Sequence, residues 1–139
     1  MITTQFKSEF DTTLDVVIMG NDDYRYSVIK PMFDEYGFGF IIPGFRTIFI
    51  DGEQKLGNDV NKFIEAHEVA HILLNHNESK NPTDEIQADL LARLLLLQQG
   101  YTTSAELVVE KFEERHGIQY HSKIYKEMLG NIEYSSYVN

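Results

Sequence analysis

The 139 residues of this chain suffice for one domain with one core and leave little room for a second. A formal net charge of −10, from 12 basic against 22 acidic residues, argues against a surface built to follow a nucleic-acid backbone; it suits one that meets neutral or basic protein segments and equally one that is charged for solubility alone. Cysteine is absent, which excludes disulfides and thiolate metal sites, so any metal must be held by histidine and carboxylates.

The predicted elements follow in chain order. The first dozen residues are polar and mixed, with Phe6 and Phe10 as apolar anchors. Leu14-Asp15-Val16-Val17-Ile18-Met19 reads as a buried strand, closed by the turn-forming Gly20-Asn21-Asp22-Asp23. Residues 24–36 are predicted helical, with Pro31 kinking or splitting the helix and Gly37 stopping it. Residues 38–42 and 47–51 are β-branched and aromatic runs that flank Pro43-Gly44-Phe45-Arg46, the pattern of a hairpin with a four-residue loop. After a polar connection, Asn58 is placed to cap a helix over 59–76, with Asp59 favourably in its first turn. Phe63, Ile64, Ala66, Ala70, Leu73 and Leu74 recur at helical spacing and give that helix a buried face.

A loop over 77–81 leads to Asn81-Pro82, which reads as a cap followed by proline at the first position of a helix running to Gln99 and stopped by Gly100. The leucines over 90–97 in it read as core and helix packing. Thr103-Ser104-Ala105-Glu106 matches a capping box for a helix ending near Gly117, and a last short helix is predicted over 122–129. Residues 131–139 read as a frayed polar tail. The expected fold is therefore one compact α+β domain over 1–139, a small antiparallel or mixed sheet packed on a helix, with a helical C-terminal half. No apolar run is long enough to cross a bilayer and no export signal opens the chain, so the expected location is the cytoplasm, away from membranes.

The chemistry concentrates in His67-Glu68-Val69-Ala70-His71. Residues four apart on a helix share a face, so both imidazoles can reach one metal ion at about 2.0–2.1 Å. Glu68 lies about 100° round the helix, beside such an ion, where it suits a general base for a water molecule activated there. A catalytic zinc site needs a third protein ligand and an open position. Glu85 is the best candidate, fourteen residues after His71, where a second, antiparallel helix would bring its first turn back beside the metal. Asp89, one turn on, would accept the free N–H of a ligating histidine. The plainer alternative is two solvent-facing histidines on an amphipathic helix, with Glu85 as an ordinary acidic helix start. His76 reads as a residue of the last turn that either lines the cleft or interacts with the helix end, and Tyr101, Tyr120, His121 and Tyr125 are candidates to stabilise an oxyanion. The strand over 47–51 runs directly into the metal helix and, as an edge strand, would hold an extended substrate.

In order, Thr47-Ile48-Phe49-Ile50-Asp51, then His67-Glu68-Val69-Ala70-His71-Ile72-Leu73-Leu74, then Glu85-Ile86-Gln87-Ala88-Asp89-Leu90-Leu91-Ala92 resemble the ImmA/IrrE family of metallopeptidases. The likeness covers roughly residues 38–100, and its metal motif is common to all gluzincins. The chain departs from the family in carrying Asp89 where asparagine is frequent, and in lacking a proline after the aliphatic run. The resemblance implies a minimal zincin-like fold, zinc on His67, His71 and Glu85, and Glu68 as catalytic base. It further implies cleavage of helix-turn-helix repressors. The leading expectation is a zinc-dependent endopeptidase of limited specificity acting on a protein or peptide. The alternative is a non-catalytic, zinc-stabilised module that binds a regulator, for which an intact Glu68 has no use.

Overall fold

Four short strands form a mixed sheet in the order β1-β2-β4-β3 in the computed structural model, which describes residues 2–55, 57–76 and 82–101. The strands are β1 (Thr4–Lys7), β2 (Asp15–Met19), β3 (Gly39–Ile42) and β4 (Thr47–Asp51). β1 runs antiparallel to β2, β2 parallel to β4, and β3 antiparallel to β4. Three helices complete the described fold: α1 (Tyr26–Tyr36), α2 (Asn58–Leu73) and α3 (Pro82–Gln98). The expected α+β architecture with a small mixed sheet is therefore present. No described helix is long and apolar enough to cross a membrane.

Alternate side chains of a strand point to opposite faces, and the two faces of this sheet have different coverings. Val16, Ile48 and Ile50, each fully buried, join Leu14 against Phe63, Ile64, Ala66 and Val69 of α2 and Ala92 and Leu96 of α3. Val17, Met19 and Phe40 face the other way and meet Phe33 of α1. Burying each such aliphatic side chain contributes about 1.5–3 kcal/mol. α2 packs on α3, and Ala66 and Ala70 of the first and Ala88 and Ala92 of the second are all fully buried. That lets the two backbones lie close together and brings their polar side chains into mutual reach.

One glycine fixes how α2 meets the sheet. A Cβ on Gly39 would lie 2.3 Å from Cγ2 of Ile64, so any larger residue would push β3 away from the helix.

The first strand has no counterpart in the sequence reading. Thr4-Gln5-Phe6-Lys7 has a single apolar residue, and three of the four are exposed, so hydrophobic alternation is too thin to register. What holds this segment is polar: Glu65, 1% exposed on α2, accepts from the Ser8 hydroxyl at 2.8 Å and the Glu9 N–H at 3.2 Å. Lys62 closes the cluster, 2.9 Å from Glu65 and 3.0 Å from Glu9.

Several expectations are corrected. β4 is not an edge strand, because β2 and β3 pair with its two sides; among the described residues the edges are β1 and β3. Pro31 does not split α1, which runs through it. The proline is exposed, so water can satisfy the carbonyl that its missing N–H leaves. Gly57, not Asn58, caps α2, with no side-chain cap bond, and α2 ends at Leu73 rather than His76. Within the leucine run, Leu96 is core, whereas Leu94 and Leu97 are 61% and 50% exposed. The predicted helices over 103–117 and 122–129 and the tail over 131–139 lie outside the described residues, as does Asn81 as a cap.

Candidate metal centre

The pairing of α2 with α3 builds the site. His67 meets Asp89, and His71, four residues on, meets Glu85, four residues back. A step forward on one helix matched by a step back on the other defines an antiparallel pair, as the fourteen-residue spacing predicts. Asp84 and Glu85 lie in the first turn of α3, where the helix dipole favours negative charge.

His67, His71 and Glu85 each offer a ligand atom within 4.8 Å of the other two. The two Nε2 atoms are 3.0 Å apart. Glu85 lies 2.9 Å from Nε2 of His67 through Oε2 and 3.3 Å from Nε2 of His71 through Oε1. Donors of one tetrahedral zinc, bonded at about 2.0–2.1 Å, stand roughly 3.3 Å from one another. The observed triangle has nearly those edges, so these three side chains fit the donor set that the sequence predicts.

The surrounding groups dictate which nitrogen of each ring is bare. Nδ1 of His67 lies 2.5 Å from Oδ1 of Asp89, a carboxylate with no exposure. An ionised carboxylate only accepts, so the proton of a neutral His67 sits on Nδ1, leaving the Nε2 lone pair toward Glu85 and His71. Burial works against a charge on His67, but Asp89 beside it, together with Glu85 and Glu68, raises its pKa well above the ordinary value. Burial would also raise the carboxyl of Glu85, yet its hydrogen bonds with His67 and His71 hold it well below the carboxylate range.

Glu68 is largely buried between the two histidines in sequence. Burial pushes its pKa up; the imidazoles pull it down, and the charges of Glu85 and Asp89 push it up again. A buried carboxyl whose pKa is raised is a stronger base than a free one, which suits a group that takes a proton and later returns it.

One candidate leaves the site, and another is placed by the structure on the cleft side of its two readings. Tyr101 is not an oxyanion donor for this site: its hydroxyl donates to Glu9, and its ring packs beside Phe10. It stands at the far end of α3, whose last residue, Gln98, is 13 residues or about 20 Å along the helix axis from Glu85. Tyr120, His121 and Tyr125 lie outside the described residues. His76, by contrast, belongs to the cluster, with its Nδ1 3.0 Å from Nδ1 of His71. The sequence signal was its spacing of five from His71, which a continuous helix would place elsewhere; the chain turn after Leu73 restores it. No family model, curated protein or solved structure matches the chain at a significant level.

Proposed function

We propose that this protein is a zinc-dependent endopeptidase of limited specificity, with a zincin-like arrangement of its metal helix and sheet. The observation that carries this reading is the triangle of His67, His71 and Glu85, supported by Asp89 behind one ligand and by Glu68 beside the set. A purely structural metal site has no need of a glutamate base adjacent to its first ligand.

His67 and His71 would hold zinc through Nε2 and Glu85 through its carboxylate, and bound zinc supplies polarisation of a peptide carbonyl and acidification of water. Glu68 takes the proton of the attacking water on its carboxylate. It then delivers that proton to the departing amide nitrogen as the carbon–nitrogen bond breaks, so the base is restored. Asp89 keeps His67 in its ligating tautomer throughout. The edge strand β3 pairs on one side only among the described residues, and Gly39 holds it against α2 one turn before His67. Its outer backbone groups suit addition of an extended substrate segment.

The acidic chain favours neutral or basic segments of a target protein. The likeness to the ImmA/IrrE pattern points to repressor-type regulators as the substrates to try first. The assay incubates zinc-loaded protein with candidate regulators and reads fragments by intact mass. Cleavage by the wild type and its loss in a zinc-retaining Glu68→Gln variant are expected. Cleavage undiminished in Glu68→Gln removes the general-base role. Zinc binding together with regulator binding but no cleavage by any preparation would favour the non-catalytic module.

A further inference from the structure

α2 ends in a turn that has a consequence for the site. Leu74 caps the helix, and Asn75 adopts a left-handed conformation with φ 56°. The N–H of Asn75 donates to the carbonyl of Ile72 at 3.0 Å and that of His76 to the carbonyl of His71 at 2.9 Å. This pair of bonds is a Schellman motif, and asparagine is the residue other than glycine that best tolerates its left-handed position. The motif folds His76 back over the last turn instead of carrying it onward.

There its ring is held at both nitrogens. Nε2 lies 3.0 Å from Oε1 of Gln87 and 3.5 Å from Oδ1 of Asp84, both in the first two turns of α3. Nδ1 lies 3.0 Å from Nδ1 of His71, and the side chain is only 8% exposed. Unlike the Nε2 pair of His67 and His71, which faces the Glu85 carboxylate and would share a metal ion, this contact between two ring nitrogens needs one proton. Two oxygen acceptors face Nε2 of His76, so a neutral His76 carries its proton there and presents a bare Nδ1. The proton between the rings then belongs to His71, on Nδ1, and Nε2 of His71 is bare toward Glu85 and His67.

We propose that His76 is a positioning residue that fixes His71 in its Nε2-ligating tautomer, as Asp89 does for His67. This rests on the metal reading above. The two ligands from one helix thus have unlike holders, a buried carboxylate for His67 and a neutral imidazole, itself anchored on α3, for His71. A ligand held from behind is more basic and better oriented, and removing such a holder typically lowers metal affinity about 10–100-fold. His76 is not a further ligand, since the nitrogen it turns to the site is occupied by His71.

The test measures zinc affinity of the full chain by competition with a chromophoric chelator. His76→Phe keeps a ring but removes the acceptor, and a loss of about 10–100-fold is expected. His76→Asn returns an acceptor oxygen near the Nδ1 position and should restore most of the affinity, which a residue needed only for packing would not show. Long-range nitrogen–proton NMR of the zinc-loaded protein should give Nδ1 of His71 its proton and Nε2 the metal. The visible spectrum of the cobalt-substituted protein should be the same in wild type and His76→Asn. Equal affinity in wild type and His76→Phe, equal loss in His76→Asn, coordination of His71 through Nδ1, or an altered cobalt spectrum each overturns the proposal. If the wild type itself binds no zinc, the metal reading fails first, before any His76 variant is compared.

Discussion

α2 carries two buried polar clusters a few residues apart, and they are built on opposite plans. Toward its N-terminus, Lys62 stands between Glu65 and Glu9, with the Ser8 hydroxyl and the Glu9 N–H filling the remaining acceptor positions of Glu65. Burial disfavours the charge on Lys62, but the two carboxylates keep its pKa above the ordinary value. This cluster contains its own cation. Further along the helix, His67 and His71 meet Glu85 and Asp89, and the contacts among these four described residues join imidazoles to carboxylates. Imidazoles that point bare nitrogens at a carboxylate are complete only when a cation joins them. The difference separates a cluster that ties the N-terminal strand to the body from one suited to bind metal.

The comparison can be broken by exchanging the outcomes. Removing the third ligand should have the largest effect: Glu85→Ala is expected to abolish stoichiometric zinc binding, read by metal analysis, while the far-ultraviolet spectrum stays native. Asp89→Ala should weaken zinc about 10–100-fold in chelator competition, the same class of loss as His76→Phe. Glu65→Ala should act on the other axis. It leaves Lys62 with Glu9 alone and takes the acceptor from the Ser8 hydroxyl and the Glu9 N–H, for a loss of about 3 kcal/mol, at the low end for a buried pair because Lys62 is 26% exposed. Its zinc affinity, measured where the variant is folded, should stay near wild type; a large loss there would mean that the two clusters are not independent.

Gly39→Ala tests the sheet side of the site, and the collision with Ile64 should cost about 1–3 kcal/mol in urea denaturation. The smallest effect concerns α1. Burial, then the 2.9 Å hydrogen bond to Asp51, pushes the Tyr26 hydroxyl from 10.0 up to about 12. The folded state therefore holds this proton more tightly than the unfolded chain. Its stabilisation is complete below pH 10.0 and is lost as the pH climbs through about 12. Tyr26→Phe should flatten that part of the alkaline decline in thermal midpoint.

The sequence made the candidate ligands legible because their juxtaposition depends on helical arithmetic: a spacing of four on α2, four on α3, and a linker short enough to favour antiparallel pairing. β2, β3 and β4 were legible from their β-branched runs. What stayed hidden depended on geometry outside a single element. β1 is held by a glutamate from a distant helix rather than by its own apolar pattern. The interior position of β4 follows from β2 pairing in parallel across the α1 crossover, which no local signal encodes. Spacing alone leaves His76 between the cleft and the helix end, because its place beside His71 comes from the left-handed turn at Asn75.

The most direct test of the central claim is metal analysis of protein purified without added zinc, paired with native mass spectrometry. The account predicts about one zinc per chain in wild type and Glu68→Gln, and none in His67→Ala or Glu85→Ala. A zinc-free wild type that takes up no metal on titration, or a Glu85→Ala variant that binds it normally, would contradict the account.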